Sequence, residues 1–240
     1  QLTSLNIRNG NNTNLDNGDF DISNNPGLTC VTVDDVAYAN TNFTRKDVQT
    51  IYDTKCLLTD VPDDNFENYL ETHDANGNVV ALGDVTSMGN GIANDDTVFT
   101  SRIESVEELD ISGLTIGNAT GIEDFVALQT FNCFNNSLSS IDLSQNTALQ
   151  ILAIGRNNLT SLDLSQNSSL TFVSCLRNQI TSINVSQNAL LETLACSNNM
   201  LNSIDVTNNP VLKNLSCYSN SLGSLDISQN LVLEYLDCVD

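Results

Sequence analysis

A 21-residue period of apolar side chains runs through the second half of the chain and dictates how it folds. An apolar residue follows each repeating leucine by three positions, a cysteine or isoleucine comes two positions later, and an asparagine follows in each complete unit. A unit of this kind buries its apolar columns only against its neighbours, so the pattern predicts a solenoid. The repeating leucines are Leu128, Leu149, Leu170, Leu191, Leu212 and Leu233.

Written out, one unit is L-x-x-L-x-C-x-x-N-x-L-x-x-L-D-L-S-x-N-x-x, and it holds over residues 128–238 without insertion or deletion. This pattern resembles the leucine-rich repeat in its 21-residue bacterial form. The resemblance implies a leucine-rich repeat solenoid with a parallel β-sheet on the concave face and a short capping helix. The convex face is expected to be mostly extended or turn-like, because its Ser, Asp and Asn residues disfavour a full helix.

Weaker signals divide the rest of the chain. Strand signatures at Leu2–Ile7 and Leu28–Val33 predict that residues 1–33 end an upstream repeat array, and that residues 34–60 form a disulfide-clamped cap or linker. Residues 61–105 are expected to cap a second array, with a short helix whose apolar face is Phe66, Tyr69 and Leu70. The main array then occupies residues 106–240, in units of 21–22 residues.

Three further segments resemble large secreted leucine-rich proteins of the Bacteroidetes, particularly flavobacteria. The segments are N-P-G-L-T-C-V-T-V-D-D-V-A-Y from Asn25, V-P-D-D-N-F from Val61 and T-G-I-E-D-F from Thr120. The resemblance implies export by type IX secretion and an extracellular or outer-membrane cell-surface location. Because the sequence begins and ends inside a repeat pattern, we expect it to be a segment of a larger polypeptide.

Composition and net charge exclude several classes of function. The formal net charge of −22 repels phosphate, so a nucleic-acid partner is excluded and anionic membrane surfaces are disfavoured. No apolar run approaches the ~20 residues of a membrane-spanning helix, so direct membrane insertion is not expected. The single histidine, His73, is not linked to a nucleophile by any motif. We therefore expect a non-enzymatic chain without a resident cofactor.

The seven cysteines fall into two classes. Five of them occupy one inward-facing position of the repeat, which is Ile154 in another unit. Because this position also accepts isoleucine, it serves core packing, and we expect its cysteines to be buried free thiols. No C-x-x-C spacing supports a metal cluster. Cys30 and Cys56 lie outside this column and are expected to form a disulfide, which indicates an oxidising compartment. The column cysteines are Cys133, Cys175, Cys196, Cys217 and Cys238.

Two short motifs are weaker candidates for sites. Asp74, Asn76 and Asn78 alternate oxygen ligands as a Ca²⁺ loop does, although the closing Glu of an EF-hand is missing, and a solvated turn is the preferred interpretation. Thr97 lies in Asp-Thr-Val, which resembles the motif at which Bacteroidetes O-glycosylate exported proteins.

The variable strand positions of the repeats face the concave side, where this fold usually binds. Apolar and arginine side chains cluster there on adjacent units, as in binding hot spots, and two tyrosines form a second aromatic strip. The predicted contact patch consists of Ile151, Arg156, Phe172, Leu176, Arg177, Tyr218 and Tyr235.

These observations predict a recognition or adhesion module that binds an extracellular protein through the concave face. Two alternatives stay open: a passive stalk or spacer of a large surface protein or filament, and a glycan-binding module for polysaccharide capture.

Overall fold

The computed structural model describes residues 1–15, 18 and 20–239, which form two compact units. The first unit comprises Gln1–Leu58 with Phe99–Ser101, and the second comprises Thr59–Val98 with Arg102–Asp240. Each unit has its own apolar core. We call one repeat of either unit a coil.

The first unit is a three-stranded parallel sheet with a short helix. Its strands, β1 (Leu5–Asn6), β2 (Cys30–Thr32) and β3 (Ile51–Asp53), lie in the order β1-β2-β3. Helix α1 (Val36–Asn42) begins at Asp35, whose carboxylate accepts the Tyr38 N–H. Cys30 and Cys56 form a disulfide with a Cα–Cα distance of 5.8 Å, the pairing that the sequence predicts.

The end of the first array differs from the sequence prediction. The sequence pattern predicts that this array ends near Val33, but Cys30 and Val31 pair in parallel with Ile51 and Tyr52. Residues 34–60 therefore contain another coil in addition to α1. This coil keeps the 21-residue offset, but a polar glutamine, Gln49, stands where the preceding coil has Leu28, so its pattern is not visible in the sequence.

A cap segment with two short helices precedes the main array. Strand β4 (Leu58–Asp60) precedes helix α2 (Asp64–Thr72), and β5 (Thr97–Phe99) precedes helix α3 (Thr100–Ile103). Asp63 caps α2 by accepting the N–H groups of Asn65 and Phe66, as Asp commonly does at this position. Phe66 and Leu70 are buried in the core, and Tyr69 is half-buried.

Seven parallel strands follow and form one sheet in sequential order, β6 to β12. Paired residues lie one repeat apart, as Ile151, Phe172, Thr193 and Asn214 do. The connections on the convex side are turns and bends with one short 3-10 helix, Ile122–Asp124, and the described part of the array contains no α-helix. The fold is therefore a leucine-rich repeat solenoid, as predicted. The strands are β6 (Glu108–Asp110), β7 (Thr130–Asn132), β8 (Ile151–Ala153), β9 (Phe172–Ser174), β10 (Thr193–Ala195), β11 (Asn214–Ser216) and β12 (Tyr235–Asp237).

The cysteine column lies in the core of this solenoid. Cys133, Cys175, Cys196 and Cys217 are buried free thiols, as expected. Cys238 is also free but is exposed, which corrects the sequence prediction. It follows β12, the edge strand of the described sheet.

Two asparagine columns bond each coil to the one before it. Asn157 donates from its side-chain nitrogen to the Cys133 oxygen of the preceding coil and accepts the Leu138 N–H through Oδ1. Asn167, in the second column, donates to the oxygens of Leu143 and Asn146. These bonds satisfy backbone groups that the stacking of coils removes from water. Within the described residues, no helix is long and apolar enough to cross a membrane.

Candidate binding surface on the concave sheet

The predicted patch centres on two neighbouring side chains of the concave sheet. Ile151 of β8 and Phe172 of β9 are direct partners in the register. Ile151 is 41% exposed although it is apolar, and Phe172 is half-buried. Side chains in register on adjacent parallel strands project from the same face at the ~4.8 Å strand spacing. The two therefore form one continuous apolar surface.

A second apolar row lies just beyond the strand ends. A β-carbon on Gly155 would lie 3.1 Å from Phe134 Cε2 and 3.2 Å from Leu176 Cγ. Glycine at this position therefore lets the side chains of the two neighbouring coils approach each other. Phe134 adds to the patch an aromatic ring that the sequence prediction did not include.

Arg156 and Arg177 occupy the next position of the same coils and are both exposed. Their φ angles of 54° and 55° lie in the left-handed region, which disfavours ordinary side chains. The Arg156 guanidinium carbon lies 5.5 Å from the centroid of the Phe134 ring, within cation–π distance. The two arginines thus place positive charge beside exposed apolar surface.

The two tyrosines of the prediction do not join this patch. Tyr218 follows β11 and Tyr235 lies on β12, and β10 separates both of them from Phe172 and Leu176 on the β9 coil. The seven residues chosen from the sequence therefore form two groups. We call the group of Phe134, Ile151, Arg156, Phe172, Leu176 and Arg177 the arginine patch.

A groove of about 900 Å³ opens beside the arginine patch. Its walls come from Tyr69 and residues 75–77 of the cap on one side and from β6, β7 and β8 on the other. Ile151 belongs to both the groove and the arginine patch. The groove is not visible in the sequence because the repeat pattern describes only one of its walls.

The groove is acidic at the cap end. Glu108 and Asp110 of β6 line it and are exposed, and Asn132 donates to the Asp110 carboxylate at 3.0 Å. Burial, and then the charges of Asp110 and Asp74, raise the pKa of Tyr69 above its usual value of 10.0. The concave face of this unit is therefore acidic near the cap and basic at Arg156 and Arg177.

His73 supports the groove wall. Its ring stacks on the Tyr69 ring with centroids 4.0 Å apart, and its Nδ1 lies 2.9 Å from the backbone carbonyl oxygen of Tyr69. His73 is half-buried because it packs against this tyrosine. These contacts give it a role in holding Tyr69.

The two weaker candidate sites are engaged in local bonds. Asp74 Oδ1 accepts the N–H groups of Asn76 and Asn78, both at 2.9 Å, so this carboxylate serves its own turn. The Thr97 hydroxyl lies 3.2 Å from Asp95 Oδ1 and accepts a bond from Asn90.

The cap also buries a carboxylate that the sequence did not reveal. Glu71 is fully buried, and its two oxygens accept the N–H groups of Asn90 at 2.5 Å and Gly91 at 2.8 Å. Burial is the main cause that raises its pKa above 4.5. Arg102 donates to the Gly89 oxygen at 2.6 Å, so the loop around Gly89 is bonded to both helices of the cap.

Solved structures that are similar to this chain include bacterial and plant proteins. The functional domain of InlJ from Listeria monocytogenes, described as including a cysteine ladder, is 27% identical, with a TM-score of 0.48 over 76% of this chain and 47% of that one. The internalin InlF of Listeria monocytogenes is 19% identical, with a TM-score of 0.54 over 73% of this chain and 55% of that one.

The Arabidopsis receptor kinase HAESA, solved with a peptide hormone and a co-receptor, is 22% identical, with a TM-score of 0.49 over 56% of this chain and 26% of that one. This chain thus spans about half the length of the two listerial structures. No family model and no curated protein matches this sequence.

Proposed function

We propose that this chain is a non-catalytic recognition module that binds a protein partner through the concave face of its second unit. The observation that carries the proposal is the arginine patch, where Ile151 and Phe172 form an exposed apolar surface beside two arginines. Apolar and aromatic side chains next to arginine are typical of the residues that dominate binding energy.

The positive charge of the arginine patch indicates which chemical groups the partner would carry. The chain has 8 basic and 30 acidic residues, so two arginines side by side on one face are an uncommon local charge. A carboxylate on the partner would accept hydrogen bonds from Arg156 or Arg177, and an apolar side chain next to it would pack on Phe172. We infer a partner segment that combines an acidic and an apolar residue.

The groove extends this surface toward the cap. Its volume of about 900 Å³ is large enough for several side chains of a peptide segment. Because Glu108 and Asp110 line that end, a basic residue of the partner fits there. The partner would then run from an acidic residue at the arginine patch to a basic residue in the groove.

The proposed location is the cell surface or the extracellular space. The Cys30–Cys56 disulfide supports it, because disulfides persist in oxidising compartments. The sequence resemblance to secreted proteins of the Bacteroidetes supports export by type IX secretion and a place in a longer polypeptide.

A glycan-binding module is the second candidate, and Tyr235 favours it. This side chain is 53% exposed on β12, and an exposed aromatic ring provides a face on which a sugar ring stacks. The third candidate, a passive stalk or spacer, requires no ligand at any of these positions.

Binding selections separate the three candidates. A displayed library of random peptides and a glycan array are screened with the wild-type chain, with the Arg156→Glu, Phe172→Ala variant and with Tyr235→Ala. A second double variant, Leu190→Ala with Lys213→Glu, makes matched changes outside the patch.

The protein-recognition proposal predicts peptides that combine acidic and apolar residues. Their affinity is expected to fall at least ~10-fold in the arginine-patch variant, since each lost hot spot costs ~2 kcal/mol or more, and to be unchanged in the matched control. Glycans that lose binding only with Tyr235→Ala would favour the second candidate. A chain that selects no ligand sensitive to either change would be a spacer.

A further inference from the structure

Three carboxylates of the cap converge outside the groove and the arginine patch. Asp64, Glu67 and Asp96 each place a carboxylate oxygen within 4.8 Å of the other two. Asp64 and Asp96 are exposed, so the cluster opens to solvent. Within the described residues, none of the three forms an ion pair that would offset their mutual repulsion.

Glu67 is the unusual member, because its carboxylate is buried and only partly satisfied. The side chain is 0% exposed. One oxygen, Oε1, accepts the Asp95 N–H at 3.0 Å, whereas Oε2 has no hydrogen-bond partner among the described residues. A buried, unpaired carboxylate oxygen is costly, since it has lost its water without gaining a donor. Its burial within this cluster calls for a positive partner.

The backbone around the cluster is held in place. Asp64 and Glu67 lie three residues apart in α2, so they share one face of the helix. The backbone carbonyl oxygen of Asp96 accepts the Val61 N–H at 2.8 Å. Asp96 itself has a φ of 60°, in the left-handed region. The neighbouring Asp95 accepts bonds from Asn90, at 3.1 and 3.0 Å.

We propose that Asp64, Glu67 and Asp96 bind a divalent cation, of which Ca²⁺ fits best. Ca²⁺ binds oxygen ligands at 2.3–2.6 Å, so two of its ligands on opposite sides lie about 4.8 Å apart, and it accepts irregular sets completed by water. Mg²⁺ requires a near-ideal octahedron with shorter bonds, which an open site of three carboxylates does not impose.

This site differs from the weaker Ca²⁺ candidate that the sequence offers at Asp74, Asn76 and Asn78, where a solvated turn is the preferred interpretation. There the Asp74 oxygen already accepts N–H groups of its own turn. In the new site an oxygen of Glu67 lacks a donor. The cation would join α2 to the loop before β5 and would thereby stabilise the cap that covers the first coils.

The test measures Ca²⁺ binding and thermal stability on the full chain. Isothermal titration calorimetry with CaCl₂ gives stoichiometry and affinity, and the melting temperature is recorded in CaCl₂, MgCl₂ and NaCl of equal ionic strength. The variants are Glu67→Gln, which retains an acceptor for the Asp95 N–H, and Asp96→Asn, since Asn tolerates positive φ. Asp205→Asn is the matched control, because it removes one exposed carboxylate at a column position that Asn184 fills in the preceding coil.

The proposal predicts one Ca²⁺ per chain with a dissociation constant of about 10⁻⁴–10⁻³ M, the range of extracellular Ca²⁺ modules. Both site variants are expected to weaken binding at least ~10-fold and to lose the rise in melting temperature, whereas Asp205→Asn retains both. A rise of equal size in wild type, Glu67→Gln and Asp205→Asn would mean general screening of a polyanion and would overturn the site. So would the absence of calorimetric heat in the wild-type chain at 10 mM CaCl₂.

Discussion

Asn157 joins two coils of the solenoid by accepting the backbone N–H of Leu138 at 3.0 Å. The same side chain donates to the oxygens of Cys133 and Ile154, at 3.0 and 3.2 Å. One amide therefore satisfies three backbone groups of two coils, and Asn178, one repeat later, makes the equivalent bonds. This column couples each coil to its neighbour independently of the apolar core.

Asn157→Ala is expected to destabilise the second unit by roughly 1–3 kcal/mol, because it leaves the buried Leu138 N–H without a partner. The backbone oxygens of Cys133 and Ile154 each lose one hydrogen bond but retain another, from Asn136 and Asn178. Urea denaturation followed by circular dichroism measures this loss. Asn158→Ala, at the exposed neighbouring position, is the control and should change stability little. Equal effects of the two substitutions would show that the amide bridge contributes nothing.

Thiol reactivity should separate Cys238 from the other free cysteines. Burial raises the pKa of Cys175 to about 12 and that of Cys217 to about 11, so neither forms the reactive thiolate near neutral pH. An aromatic disulfide reagent at pH 8 is expected to modify one thiol of the native chain quickly and the others only after unfolding. Cys238→Ser should remove the fast phase, and a fast phase that survives this change would contradict the buried column.

The free energy of unfolding should depend on pH in two opposite ways. Hydrogen bonds from Thr207 lower the pKa of Asp205 below 3.8, so its contribution is present above pH 3.8 and is lost as the pH falls through the lowered pKa. Burial raises the pKa of Glu67 above 4.5, so the folded chain retains a proton that the unfolded chain releases, and stability declines as the pH rises above 4.5.

Each of these two pH dependences should become weaker when the carboxylate that causes it is substituted. In buffer with a chelator, Glu67→Gln is expected to reduce the decline above pH 4.5, and Asp205→Asn to reduce the loss below pH 3.8. Urea midpoints from pH 3 to pH 7 measure both slopes. A Glu67→Gln profile parallel to that of the wild-type chain would mean that this carboxyl titrates alike in the folded and unfolded states.

Arg177→Asn is expected to stabilise the chain and to weaken its binding of peptides. Left-handed backbone costs an ordinary residue about 1–2 kcal/mol and is tolerated by Asn, so the variant is expected to gain on the order of 1 kcal/mol in unfolding free energy. Peptides selected on the wild-type chain should at the same time bind it more weakly. Asn135→Arg, at the equivalent position of an earlier coil, provides the reverse change and should lose a similar amount. A destabilised Arg177→Asn variant would show that the arginine stabilises the fold.

Gly89→Ala should destabilise the cap because its new β-carbon would overlap the Glu71 carboxylate. Overpacking of this kind costs about 1–3 kcal/mol, and here it would displace a buried carboxylate from its two N–H donors. Gly223→Ala is the control, since nothing lies within 4 Å of its added β-carbon. Differential scanning calorimetry compares the two, and equal melting temperatures would contradict the tight packing at Gly89.

Much of the fold was predictable because the repeat makes it one-dimensional. Three repeat positions predict the same path of the chain: the column of Leu128, the inward cysteines and the position of Asn157. Strands β7 to β12 are therefore predicted by the 21-residue period. The third strand of the first unit was missed because polar residues such as Gln49 interrupt its pattern. This strand is evident only from the strand pairing in the structure, in which Tyr52 pairs with Val31.

The candidate sites were predictable only in part. Ile151 and Phe172 were placed together by the 21-residue period, because a fixed period in a parallel sheet makes residues one repeat apart neighbours. The groove at Tyr69 and the carboxylates of Glu67 and Asp96 come from the cap, where no period relates residues that are distant in sequence. Their proximity depends on how the loop after α2 returns to the helix.

The sequence by itself therefore determined the solenoid, its parallel sheet, its buried thiols and the face on which variable side chains are displayed. It could do so because each coil repeats the same local balance of apolar burial and turn bonding. Only the tertiary structure decided which variable residues touch, which carboxylates are buried and which carboxylates lie close together. Those properties depend on desolvation and on distances between non-repeating segments, which no local pattern encodes.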